Sequence, residues 1–245
     1  MTRRWRAAWR LLRSVMHVLH GLAIVLLRFR ALDAAQRHER IQWWSEKTLR
    51  LMGIGLQVEG SVSPGGVLLA ANHVSWLDIT VLHAVVPHAR FVSKADIQSW
   101  PLLSRLADAA DTLYLERARK RDALRVVHLL AEALVAGQTI AIFPEGTTSD
   151  GQGLLPFHAN LFEAAIATST PVQPVALRFS DARGPVSAAV EFVGATTLVA
   201  SVWQVACGDG LVAHVMLLPA RPSAHVNRRA LAQTLHDDIA AQLAA

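Results

Sequence analysis

Among its 245 residues the chain has a single cysteine, Cys207. That excludes an internal disulfide framework and any metal site built on several thiolates. Long apolar runs are also missing. The most apolar stretch, "VMHVLHGLAIVLL" from Val15 to Leu27, contains two histidines and falls short of the ~20 residues needed to cross a bilayer. It has the length of a signal-peptide core, but Arg28 and Arg30 follow at once and no small-residue cleavage pattern appears. Acidic residues are scarce at one end. Residues 1–50 hold 11 Lys+Arg against 3 Asp+Glu, a net +8; the remainder hold 13 against 16, a net −3. The basic balance therefore belongs to the N-terminal segment. Absent too are a G-x-S-x-G nucleophile elbow, a P-loop, a G-x-G-x-x-G turn and an H-E-x-x-H helix. These absences argue against the hydrolases, nucleotide enzymes and metalloproteases that those motifs mark.

What is present is apolar: 52% hydrophobic residues and a mean hydropathy of +0.30, high for a freely soluble protein. Trp5, Trp9, Leu12, Met16 and Leu19 recur at spacings of three and four, with Arg6, Arg10 and Arg13 as a second stripe. That pattern predicts an amphipathic helix with a basic face. A second helix, about Ala34 to Met52, carries Trp43 and Trp44, a residue type favoured at bilayer interfaces. Residues 1–52 thus read as a two-helix membrane-surface motif, with arginines facing anionic lipid. A single-span anchor and an ordinary helical hairpin remain open. Interleaved Trp, Leu and Val favour lipid over nucleic acid as the basic tract's partner.

From the Pro/Gly turn "SVSPGG" at Ser61–Gly66, strand and helix patterns alternate. Strands are expected at Val67–Ala71, Arg90–Lys94, Thr112–Glu116, Thr139–Phe143, Val172–Leu177, Ala188–Val193 and Leu211–Leu218. Helices are expected from Ser75 to Val86, from Pro101, from Arg119 to Ala136, from Phe157 to Thr168 and from Val226 to Ala244. Such alternation specifies an α/β domain, residues 53–245, with a mixed, largely parallel sheet flanked by helices. The last strands lie close together, which implies some antiparallel pairing.

The stretch "NHVSWLD", Asn72 to Asp78, holds the first candidate chemistry. Inside one helix, positions five apart point about 140° apart, so His73 and Asp78 meet only if His73 precedes the helix. Ser75 is then the natural N-cap, and the Asp78 carboxylate reaches the inner ring nitrogen of His73. That fixes the tautomer and leaves the outer nitrogen to take a proton. Ser-x-x-Asp is also a capping signature, so a plain helix start explains part of the pattern. "FPEGTTS" at Phe143–Ser149 puts Glu145, Gly146, Thr147 and Ser149 in a loop at a strand end, where α/β sheets bind ligands. "YLERARKR" puts Glu116 and Arg117 at another strand end, and Arg117 can hold a phosphate bidentately. His73 alone among eleven histidines has an acidic partner at a telling spacing, and no histidine set has metal-ligand spacing.

Together these stretches resemble the 1-acylglycerol-3-phosphate acyltransferases, within the wider glycerolipid acyltransferases. The family's N-H-x-x-x-x-D block is complete in Asn72–Asp78. "DTLYLER" matches its second block loosely, with Arg117 in agreement; "FPEGTTS" is its third, with Thr148 where arginine is usual; "TPVQPVAL" is its proline-bearing fourth. "RFVSKADI", with Lys94, resembles the segment between the first two. The resemblance implies transfer of an acyl chain from acyl-CoA or acyl carrier protein to the hydroxyl of a lyso-lipid, foremost lysophosphatidic acid. His73 and Asp78 are then catalytic, and Asn72, Ser75, Lys94, Glu116, Arg117, Glu145, Gly146, Thr147 and Ser149 line the substrate site. No metal and no cofactor are expected. Thr148, and His158 where lysine is common, leave lyso-ornithine lipid open as the acceptor. A non-catalytic lipid-binding protein is the distant rival. High Ala, Arg and Leu content points to a bacterial source, and the expected place is the cytoplasmic face of the inner membrane, peripheral or single-span.

Overall fold

The computed structural model describes residues 3–94, 101–115 and 120–245. Helix α1 (Arg3–Leu27) and helix α2 (Ala34–Met52) come first. Asp33 caps α2 through a reciprocal box with Gln36, and Gly53 closes it in the left-handed region at φ 77°, where glycine is favoured. The strands are β1 (Ile54–Glu59), β2 (Val67–Ala71), β3 (Arg90–Lys94), β4 (Leu113–Leu115), β5 (Thr139–Ile142), β6 (Val172–Ser180) and β7 (Leu211–Leu217). The remaining helices are α3 (Leu77–Val85), α4 (Pro101–Ala109), α5 (Lys120–Val135), α6 (Glu163–Ala167), α7 (Leu198–Cys207) and α8 (Arg228–Ala244).

The sheet order is β1-β7-β6-β2-β5-β3-β4. Every neighbouring pair is parallel except β6 with β7. The sheet is therefore mixed and largely parallel. Central β2 is buried on both faces, as a continuous apolar run requires. Leu69 and Ala71 face a core shared with α2, α3 and α7; Leu68 and Ala70 face one shared with α5, α6 and α8.

Three expectations need correction. Ala188–Val193 forms no strand: β6 already has β2 and β7 on its two edges, so the segment cannot pair there, and residues 181–197 run as irregular chain. Strand β1 and helix α7 were not expected. The apolar alternation of α7 reads equally well as strand, and only its Thr197 cap, accepting from the Ala200 N–H, marks a helix start. Ser75 does not cap α3. Trp76 occupies the cap position without a side-chain bond, and the cap acts in reverse, Asp78 accepting from the backbone of Ser75.

The basic stripe of α1 also departs from expectation. Arg3 donates to the carbonyl of Cys207 and Arg10 to those of Ala206 and Gly208, while Arg6 pairs with Asp209 at 3.0 Å. These cations meet the negative end of the α7 dipole and hold α1 to the body. Against α2, Gly21 lets the helices close: a Cβ there would stand 2.3 Å from Trp44 Nε1.

Candidate active site

β2 ends at Ala71, and the chain turns through Asn72–Trp76 into α3. The turn is fixed by polar groups inside the protein. Asn72, 1% exposed, donates from Nδ2 to the carbonyl of Leu177 and accepts from its N–H, at 2.9 and 2.7 Å. Its amide thus extends the β2–β6 ladder by one rung, a duty other than the expected substrate contact.

Asp78 is fully buried. Its Oδ2 accepts from Val74 N at 2.7 Å, from Ser75 N at 2.9 Å, and lies 2.8 Å from Nδ1 of His73. A carboxylate with three partners on one oxygen fixes the ring and selects the tautomer with the proton on Nδ1. The His73 ring stacks on Phe143, centroids 4.0 Å apart and planes 14° off parallel, and its side chain keeps 18% exposure. Nε2 has no partner among the described residues, so the nitrogen suited to proton transfer is the open one. Asp78 Oδ1 and Ser75 Oγ are buried without a partner among the described residues.

The loop after β5 closes the corner. Glu145 accepts from His73 N at 2.7 Å with Oε1 and from Leu155 N at 2.8 Å with Oε2. It acts as a bracket between the two loops. Burial pushes its carboxyl above the ordinary carboxylate value, opposed by those two backbone donors. Ser149 adds two bonds to the carbonyl of His73, from N at 2.8 Å and from Oγ at 3.2 Å. Gly146 takes φ 70°, so glycine is required for the turn. Thr147 is exposed beside it. Thr148 donates its hydroxyl to the carbonyl of Phe192, tying the irregular 181–197 segment over the loop.

The structure therefore brings Asn72, His73, Ser75, Asp78, Glu145, Gly146, Thr147 and Ser149 to one corner. Lys94 ends β3, in register with Leu115 of β4. Glu116 and Arg117 lie outside the described residues. Sequence reasoning missed Phe143 as the platform under His73 and Trp76 as a donor to Ser201 of α7 at 3.1 Å. Phe143 lies inside the F-P-E-G stretch, the one signal available for it. Among the described residues no three His, Cys, Asp or Glu side chains gather as metal ligands.

The seven-stranded mixed sheet carries the N-H-x-x-x-x-D turn beside the F-P-E-G loop, and residues 55–178 match the acyltransferase family model. The chain belongs to this family. Among curated relatives, a 1-acyl-sn-glycerol-3-phosphate acyltransferase of Neisseria gonorrhoeae is 44% identical over 138 residues, covering 56% of this chain and 54% of the relative. A lyso-ornithine lipid O-acyltransferase of Pseudomonas aeruginosa is 35% identical over 197 residues, covering 80% and 75%. The match thus spans about half the length of the Neisseria protein and three quarters of the Pseudomonas one. The crystal structure of the 1-acyl-sn-glycerophosphate (LPA) acyltransferase PlsC from Thermotoga maritima superposes with a TM-score of 0.69 at 19% identity, covering 96% of both chains. At that identity the likeness speaks for the fold.

Proposed function

We propose that this chain transfers an acyl group from an acyl thioester, acyl-CoA or acyl carrier protein, to the free hydroxyl of a lyso-lipid at a bilayer surface. The observation that carries the reading is the 2.8 Å His73–Asp78 pair with the outer nitrogen of His73 open. His73 Nε2 takes the proton of the acceptor hydroxyl. The oxygen attacks the thioester carbonyl, the C–S bond breaks, and the proton leaves with the thiol. Asp78 stabilises the charged ring between these steps. Neither metal nor cofactor enters this scheme. The amides of Val74 and Ser75 are committed to Asp78, so stabilisation of the oxyanion, typically ~3 kcal/mol per donor, falls to other groups. Glu145 and Ser149 hold the backbone of His73, and Gly146 and Thr147 shape the mouth of the corner. Lys94 and Arg117 are assigned to the acceptor's anionic group. Residues 1–52 serve the membrane and 53–245 the chemistry, at the cytoplasmic face of a bacterial inner membrane; nucleic acid has no part.

Lysophosphatidic acid is the first acceptor, with phosphatidic acid as product. A second reading, acylation of lyso-ornithine lipid, is favoured by one observation: Thr148 offers no cation and spends its hydroxyl on Phe192. Labelled acyl-CoA with each acceptor, given to wild type and His73→Ala, tests both. Label is expected in phosphatidic acid, with the variant down about a thousandfold. Label only in ornithine lipid moves the substrate and keeps the mechanism. Equal transfer by wild type and variant sinks the role of His73.

A further inference from the structure

From Leu198 to Cys207, α7 carries no charged residue. Its inner side is Ser201, Val205, Ala206 and Cys207. Its outer side shows Val199, 81% exposed, and Trp203, 41% exposed, one turn apart on one helix face. In a soluble protein that edge calls for a partner.

The neighbouring surface is of the same kind. Trp5, Trp9, Leu12, Met16 and Leu19 of α1 are all half or more exposed. At ~100° per residue they fall within an arc of about 80°, roughly opposite Ala7, Ser14, His17 and Gly21. Three of those four, Ala7, His17 and Gly21, are buried in the packing of α1. Trp203 and Gln204 share a cleft with Arg3 and Arg4, so the α7 edge adjoins the first turn of α1. Arg4 and Arg13 are exposed beside them. Arg3, Arg6 and Arg10 fasten the first turns of α1 to the end of α7.

We propose that α7 is part of the membrane-docking face: its Val199–Trp203 edge enters the interfacial layer of an anionic leaflet together with the α1 stripe. Arg4 and Arg13 meet the lipid phosphates. Helix α1 is long and apolar enough to cross a membrane, but the arginine clamps at its first turns hold it to the end of α7, which favours a place along the surface. The indole N–H of Trp76 donates to Ser201, so the element in the lipid also touches the His73 turn, and a lyso-lipid leaving the leaflet along α7 arrives at the base. This inference builds on the bilayer-surface reading above.

The test is partitioning of the full chain onto phosphatidylglycerol-rich vesicles for wild type, Val199→Glu and Trp9→Glu, with circular dichroism to confirm folding. Val199→Glu is expected to weaken partitioning about tenfold, from one buried aliphatic side chain lost. Binding equal to wild type while Trp9→Glu is released overturns the role of α7 and leaves the bilayer-surface reading standing. If neither variant is released, both fall. Equal partitioning onto phosphatidylcholine overturns the choice of an anionic partner. Should Val199→Glu misfold, Val199→Cys in a Cys207→Ala background can carry an environment-sensitive dye. A blue shift on vesicles is expected, and unshifted emission overturns the proposal. Acyl transfer in detergent micelles should stay within about twofold in Val199→Glu. Its absence in every variant strikes the enzymatic reading, not the docking face.

Discussion

At the His73 turn, polar side chains lie inside the protein; across α1 and α7, apolar ones lie outside. Both reverse the usual distribution, and the two reversals are balanced differently. Asp78, Asn72 and Glu145 are buried, yet each is tied to backbone N–H or C=O groups, Asp78 through Oδ2, so much of the cost of burial is offset and the geometry is held. Trp5, Trp9 and Val199 are more than half exposed among the described residues. Internal pairing marks a site that must hold its shape alone. Uncovered apolar area marks one completed by something else.

The comparison can be broken at its polar end first. Asp78→Asn removes the charge from three hydrogen bonds at once and offers an amide where acceptors are needed. A loss of kcat of about a thousandfold or more is expected, read in the acyl-transfer assay; a loss under tenfold would show that the buried pair is structural only. Glu145→Gln comes next. One of its two carboxylate oxygens becomes an NH2 facing a backbone donor. Misplacing His73 should lower kcat about tenfold to a hundredfold with KM for the acceptor nearly unchanged. A rise in KM alone would return Glu145 to direct substrate binding.

The apolar region is tested by stability. Gly21→Val sets a side chain against Trp44 and should cost about 1–3 kcal/mol through separation of α1 from α2, seen as a lower Tm. An unchanged Tm would show that this contact opens freely. The effect that is smallest near neutral pH concerns His83, which packs against Phe91 and faces the carbonyl of Ala89. Burial lowers its pKa from 6.5 to about 4. The unfolded chain therefore binds the extra proton between those values, and stability rises with pH across that window. The contribution is full above about pH 6.5 and falls away toward pH 4, by up to about 3 kcal/mol. His83→Gln should flatten the dependence of Tm on pH there; an unaltered slope excludes His83 as its source.

Much of the fold was legible because β2 and β5 are short apolar runs and α2 carries its own cap signals. The parallel sheet follows from the alternation. Strand pairing was not legible: Ala188–Val193 looks like a strand, yet β6 is already paired on both edges and the segment stays irregular. The reverse holds for α7, whose Val-rich sequence hides a helix. At the site, the spacing of His73 and Asp78 announced that they can meet. That Asn72 and Glu145 are consumed by backbone groups could not be read, since their partners, Leu177 and Leu155, are remote or anonymous in sequence.

The sequence by itself determined the periodicities, the uneven charge, and the residue types of the N-H-x-x-x-x-D turn, because these are local properties of neighbouring side chains. Only the tertiary structure decided which of those side chains remained available. Folding turned Arg3 and Arg10 onto the carbonyl end of α7 and Arg6 onto Asp209 just beyond it, where a helix terminus needs cations, and left the outer nitrogen of His73 unpaired among the described residues and the tryptophan stripe of α1 exposed.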